Sequence, residues 1–419
     1  MIWVVLGLLF GLIFLGFPVG FALMISAAIA MAIQGIDLIM VPIQMFSGTN
    51  SVVLLAIPFF ILMGELMGAT SISERIVNLA SALVGWIRGG LSHVNVVTSM
   101  FMAEMSGSAV ADAAVMSKIF VPSMEKKGYP KTFAAAITAT SATLGIIIPP
   151  SIPMVLYGVT TNTSIKDLFL AGIVPGILLG GAFMVTSYIF ARKEGHPVDQ
   201  KFDVPRLGHA LKGAAIPLLI PIVVVGGLLA GLVTPTEAAA VGALAAFIFG
   251  VILQKDLSAK KVYDLFSTTV RQTSVVMMII AGSAVLGQFL ANEQIPQKVA
   301  TGLLSLSDDP IILTLLINLF LLFLGMFLHA SAAIIVVVPI LLPIATQIGI
   351  DPVHFGVIVC LNLGIGQQTP PVASVLLTVC STTGLRIDHV MRYCKWFILA
   401  MFVTLMIVTF IPQTALWPQ

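Results

Sequence analysis

Residues able to do chemistry gather in two kinds of interruption within otherwise apolar sequence. The first is a short polar stretch, Glu104-Met105-Ser106-Gly107-Ser108-Ala109-Val110-Ala111-Asp112, with a counterpart from Gly325 to Ala333 that carries His329, Ala330 and Ser331. The second breaks helices: Gly145-Ile146-Ile147-Ile148-Pro149-Pro150-Ser151 and Gly364-Ile365-Gly366-Gln367-Gln368-Thr369-Pro370-Pro371. Consecutive prolines remove two N–H donors and clash with the preceding turn, so a helix crossing here must unwind and leave carbonyls without partners. Within a bilayer such carbonyls are costly unless they line a cavity or bind a cation. A Ser-rich tip facing an unwound Gly-Pro-Pro segment would offer a compact set of oxygens, twice over, which suits two Na+ sites. The competing reading is that Pro-Pro only kinks helices and that Ser106, Ser108 and Ser331 only permit close packing; duplication of both elements favours the sites.

The surrounding sequence says what holds these interruptions. Of 419 residues, 58% are hydrophobic and 9% charged, whereas soluble domains carry about 25% charged residues. Asp, Glu, Lys and Arg are absent from Thr132 to Ile165 and from Pro310 to Ile350, and a span needs only about 20 apolar residues. The chain therefore reads as an all-α polytopic membrane protein forming one integral domain, with length for about a dozen crossings. A net charge of +2 spread over loops gives no basis for nucleic-acid binding. Cys360, Cys380 and Cys394 lack metal-ligand spacing. No G-x-x-x-x-G-K-[ST] loop occurs, and no metal or nucleophile constellation stands out. The expectation is transport rather than catalysis, driven by an ion gradient or a partner.

An internal repeat organises the chain. Pro122, Gly128, Gly145, Pro149 and Pro150 match Pro343, Gly349, Gly366, Pro370 and Pro371 at an offset of 221 residues. Upstream the offset is 223, aligning Gly64 with Gly287, Ile72 with Ile295, Asn95 with Asn318, and Ser106 to Ala109 with His329 to Ala332. Lys118, Lys126, Lys127 and Lys131 mark the first copy's loop as cytoplasmic, while the matching stretch 339–355 has no Lys or Arg. The copies thus have inverted topology, as secondary transporters do, with sites expected near the midplane where the repeats meet.

The expected segments are an N-terminal membrane region 1–51, repeat one over 52–191 with a re-entrant hairpin at about 105–127, and repeat two over 273–411 with a hairpin at about 328–350. Each polar tip is followed by about 12 mostly apolar residues, too few to cross. Between the repeats, 192–272 comprises a cytoplasmic linker, two spans at about 214–232 and 237–253, and a basic loop. The first 32 residues lack a secretory n-region and read as membrane structure, either one long helix or two broken at Gly16 to Gly20. A last span at about 396–411 leaves the C-terminus outside.

Charged residues in apolar surroundings are candidates with blander alternatives. Thr234-Pro235-Thr236-Glu237 fits a helix start with Thr as N-cap and Glu at N3. Glu65 is an interfacial carboxylate or an ion relay. Asp112 shares a helical face with Ser108 and either lines the site or stabilises a helix N-terminus. His329 either titrates near neutrality or stays neutral and hydrogen-bonded. Asp112, Ser151, His329, Ser331 and Gln367 are the candidates to line a substrate.

The stretch MSGSAVADAAVMSKIFVPSMEKKGYPKTFAAAITATSATLGIIIPPSIPMVLYGV, with GLVTPTEAAAVGALAA and GIDPVHFGVIVCLNLGIGQQTPPVAS, resembles the large transmembrane subunit of tripartite ATP-independent periplasmic (TRAP) transporters. The resemblance covers nearly the whole chain. It implies a bacterial inner-membrane protein of elevator-type ion transporter fold, working with a small membrane subunit and a periplasmic substrate-binding protein, and importing organic acids with Na+. These acids include four-carbon dicarboxylates, keto acids, sugar acids and sialic acid. Carried onto matching positions, the two Na+ sites would use oxygens around Ser106 and Ser108 with Gly145, Ile148 and Pro150, and around Gly325 and Ala330 with Gly366, Thr369 and Val372. His329 departs from the pattern, where an acidic residue is common in relatives. The small subunit is expected as a separate chain. A stand-alone Na+-coupled carboxylate carrier shares these features and differs in needing no binding protein.

Overall fold

The computed structural model describes residues 2–106, 108–199, 201–304 and 309–417, and among them every regular element is helical. The N-terminal region holds α1 (Ile2–Phe14), α2 (Val19–Ile33) and α3 (Met40–Thr49). Of the two readings of the first 32 residues, the structure takes the broken one: Gly16 adopts φ +87°, open to glycine but not to L side chains, and Pro18 precedes α2. Repeat one follows as α4 (Ala56–Gly68), α5 (Ile72–Val84), α6 (Gly90–Ser106), α7 (Ala109–Lys126), α8 (Lys131–Ala142), α9 (Ile152–Thr161) and α10 (Ile165–Glu194). Next come α11 (Val204–Leu229) and α12 (Pro235–Phe247), the latter continuing as a π-helical segment to Leu253. Repeat two supplies α13 (Ala259–Asn292), α14 (Ile295–Leu304), α15 (Pro310–Gly325), α16 (Ala330–Gln347), α17 (Pro352–Gly366), α18 (Ser374–Thr383) and α19 (Ile387–Phe410), and α20 (Gln413–Leu416) ends the order. Helix for helix, α4 to α10 answer α13 to α19.

Among the described residues, six helices are long and apolar enough to span a bilayer, or seven if α3 and the following bent segment count as one. That is fewer than the dozen expected from length alone, because α2, α9, α15, α17 and α18 are apolar yet only 10–17 residues long. Breaks at Pro-Pro and at the hairpin ends cut would-be spans in two. The hairpin arms after the tips are longer than expected: α7 and α16 have 18 residues each and run through Pro122 and through Pro339 and Pro343. The Thr234 start is a full capping box, in which Thr234 Oγ1 accepts from the Glu237 N–H (3.3 Å) and Glu237 accepts from the Thr234 N–H (2.8 Å).

Two layers emerge from the packing. In the first, the helix before each repeat docks on the opening helix of the other, α2 on α13 and α12 on α4, while α11 lies against α5 and α12. Glycine permits the approach: a Cβ at Gly20 would lie 2.8 Å from the Met278 backbone and one at Gly282 would lie 2.3 Å from the Gly20 carbonyl. In the second layer α8 and α17 form the centre, with Phe133 to Ala142 and Val353 to Gly366 all buried. There α18 packs on α7 and α8, and α9 on α16. Matching polar clamps tie each hairpin's first arm to the broken helix. Ser141 donates to Asn95 Oδ1 (2.9 Å) and Asn95 donates to Thr138 Oγ1 (2.7 Å), and in the other copy Asn362 donates to Asn318 Oδ1 (2.8 Å).

Candidate functional site

The site is built from two hairpin ends and two helix breaks. At the first end α6 closes at Ser106, whose side chain lies outside the described residues, as does Gly107. Helix α7 starts at Ala109, not at Ser106, with Ser108 as N-cap: its hydroxyl accepts from the Ala111 N–H at 3.5 Å. At the second end α16 starts at Ala330, and His329, in the N-cap position, is exposed and makes no capping bond. The N–H groups of Ala330, Ser331 and Ala332 find no acceptor among the described residues. Ala330 and Ser331 are nonetheless buried. An uncapped helix start carries about half a positive charge and three outward donors, which suits an anion.

Each break lies beside a hairpin end. The 3₁₀ turn Thr143–Ile146, containing Gly145, packs on α6 and α7, and α17 packs on α15 and α16. In repeat two the approach is closest: a Cβ on Gly366 would sit 2.4–2.9 Å from the Gly325 backbone, so only glycine fits. Both Pro149-Pro150 and Pro370-Pro371 are cis. Among the described residues, the carbonyls of Ile148, Pro149 and Pro150, and of Thr369, Pro370, Pro371 and Val372, accept no hydrogen bond, nor does that of Gly325. Gly366 differs, since its carbonyl accepts from the Thr369 N–H (2.9 Å). Thr369 Oγ1 donates to Ile365 O (2.9 Å) and keeps its lone pairs. Val372 is 40% exposed and can offer only its carbonyl.

The side chains proposed to line a substrate fall in different places. Asp112 is 2% exposed and, with Ser108, lines a cavity of about 200 Å³ between α4, α7 and α13. Glu65 shares that cavity and accepts from Gln272 Nε2 at 2.8 Å, tying α4 to α13. Ser151 is fully buried and occupied, donating to Ile146 O (2.6 Å) and capping α9. Gln367 is 1% exposed, and its Nε2 is a buried donor without an acceptor among the described residues. Reasoning from sequence missed Gln272 and Gln368; the latter donates to Ala139 O (2.6 Å) and links repeat two's break to α8. Its place beside the Pro-Pro element was the available signal.

The family described as "Tripartite ATP-independent periplasmic transporter, DctM component" matches residues 6–414. The chain is similar to the sialic acid TRAP transporter large permease protein SiaM of Vibrio cholerae, 41% identical over 98% of this chain and 96% of that one. It is also similar to the 2,3-diketo-L-gulonate TRAP transporter large permease protein YiaN of Escherichia coli (35%, covering 99% and 97%) and to the C4-dicarboxylate large permease DctM of Pseudomonas aeruginosa (37%, covering 89% and 88%). Among solved structures, the YdaH transporter of Alcanivorax borkumensis, reported to have an unusual topology, aligns with TM-score 0.63 at 14% identity over 90% of this chain and 87% of that one, a likeness of fold. With its helical hairpins, paired breaks and near full-length match, this chain belongs to the DctM component family of TRAP transporters, as a large multi-pass permease and not an enzyme.

Proposed function

We propose that this permease imports a small organic acid across the bacterial inner membrane, coupled to Na+, by an elevator movement. In this reading the layer α6–α10 with α15–α19 slides against the layer of α2, α3, α4, α11, α12 and α13. Sialic acid, 2,3-diketo-L-gulonate and C4-dicarboxylates, the compounds in the relatives' names, have an acidic group in common. The observation that carries the coupling is the pair of breaks, each with a run of unbonded carbonyls beside a hairpin end. Such groups in a bilayer need a cation or water, and their duplication supports two Na+ sites.

The substrate's carboxylate is assigned to the start of α16. There three N–H groups await an acceptor, whereas Ser108 already serves the α7 start and Asp112 and Glu65 line the neighbouring cavity. Partners are a separate small membrane subunit and a periplasmic binding protein that delivers the acid, and the C-terminus lies outside. The test is uptake of radiolabelled acids into proteoliposomes holding this chain and the small subunit, under an inward Na+ gradient. Uptake only when the binding protein is added supports the tripartite reading; Na+-driven uptake without it would establish a stand-alone carrier instead.

A further inference from the structure

Where the linking helix α5 meets α11, Arg75, Asn78, Arg206, His209, Ala210 and Gly213 surround an open cavity of about 300 Å³. Its cations are unneutralised: no ion pair among the described residues involves Arg75 or Arg206. Arg75 donates to Gly213 O (3.0 Å) and to Gln254 Oε1 (2.8 Å), uncharged acceptors that fix the guanidinium and leave its charge in place. Arg206 has one long bond, to Ser81 Oγ at 3.4 Å. His209 Nδ1 donates to Pro205 O (2.9 Å).

We propose that this groove binds a phosphate ester, and that its source is the headgroup of an anionic phospholipid. Two guanidinium forks match phosphate oxygens in shape and charge, and basic pockets between helices at the cytoplasmic face recruit acidic headgroups. The basic end of α11 is the one that the Lys and Arg distribution assigns to that face. The favoured source follows from what lies deeper on the same helix. Arg206, His209 and Gly213 recur at three- and four-residue spacing on one face, and that face continues through Ile216 and Val223, which are 46% and 52% exposed. Val223 lies roughly 20 Å beyond His209 at 1.5 Å per residue. A headgroup seated between the arginines would lay an acyl chain along these residues, stapling α5 to α11; a free phosphate would leave them unused.

The test is the thermal unfolding of the purified full chain in detergent, titrated separately with phosphatidylglycerol, phosphatidylethanolamine and inorganic phosphate, since a ligand of the folded state raises the midpoint. Arg206 is the position to change, because it is exposed and weakly bonded, whereas Arg75 also ties three elements together. The expected result is stabilisation by phosphatidylglycerol over phosphatidylethanolamine. Arg206→Gln should bind it about five-fold more weakly, the worth of one cation near an acidic headgroup, while Arg206→Lys retains most binding and Lys193→Gln changes nothing. Stabilisation by inorganic phosphate that depends on Arg206, without preference between the lipids, would overturn the lipid source. Equal phosphatidylglycerol affinity in wild type, Arg206→Gln and His209→Gln would overturn the site.

Discussion

At the first hairpin end Ser108 turns its hydroxyl onto the start of α7 and Asp112 follows one turn later, whereas at the second end His329 offers no such bond and α16 begins with unmet N–H groups. The breaks diverge in the same way. Ile146, Ile147 and Ile148 fill the first with apolar side chains, and Gln367, Gln368 and Thr369 fill the second with amides and a hydroxyl. Shared by both are the backbone features: a hairpin end against an unwound Pro-Pro segment with unbonded carbonyls. Cation binding by main-chain oxygens can survive divergence of side chains, so duplication preserves it. Recognition of an anion cannot, and on this account it has concentrated at the second end.

The largest effect that would break this comparison is Gly366→Ala. The added methyl meets the Gly325 backbone at 2.4–2.9 Å and must push the hairpin end from the break; uptake should fall at least about 100-fold, the cost of a misplacement near 1 Å. Gly364→Ala is its control, since there a Cβ finds neighbours only at 3.7–3.9 Å, and transport assays should find it close to wild type. Next comes Thr369→Val, which removes an oxygen present in one copy only. The Na+ concentration for half-maximal uptake should rise about ten-fold, the worth of one charge-assisted contact, with uptake at saturating Na+ largely kept.

A smaller change sharpens the asymmetry between the helix starts. His329→Ser gives α16 the cap that Ser108 gives α7, placing a hydroxyl oxygen where the acid's carboxylate is assigned. Substrate KM should rise about five-fold, the upper range for a charge at a helix start, with Na+ dependence unchanged. The smallest contrast lies in the clamps, which the two copies share. Asn95→Leu and Asn318→Leu should each destabilise the fold by about 1–3 kcal/mol, the penalty for stranding a buried polar partner, read as similar drops in thermal midpoint. Unequal drops would mean the clamps are not equivalent.

Much of this was readable before any coordinates. The 221-residue offset aligned Pro149-Pro150 with Pro370-Pro371, and Thr234 to Glu237 announced its own capping box, because proline and capping chemistry act within a few residues. Asn95 and Asn318 were paired by register, but their partners Ser141 and Asn362 were not, since 46 and 44 residues separate them and only the fold closes those distances. The same holds for the Gly325–Gly366 contact. Span count failed for a different reason: apolar content measures what a bilayer tolerates, and α9 or α17 satisfies it without crossing alone. Arg75 and Arg206 served only to orient loops, because charge counting carries no information about which cations converge.

The central claim is that unbonded carbonyls at two breaks couple uptake to Na+. The most direct measurement is initial uptake of the transported acid into proteoliposomes holding this chain, the small subunit and the binding protein, as external Na+ is replaced stepwise by K+. The account predicts a sigmoidal rise with Na+, as two sites filling together require, and no accumulation in K+ alone. Undiminished uptake with K+ in place of Na+ would contradict it.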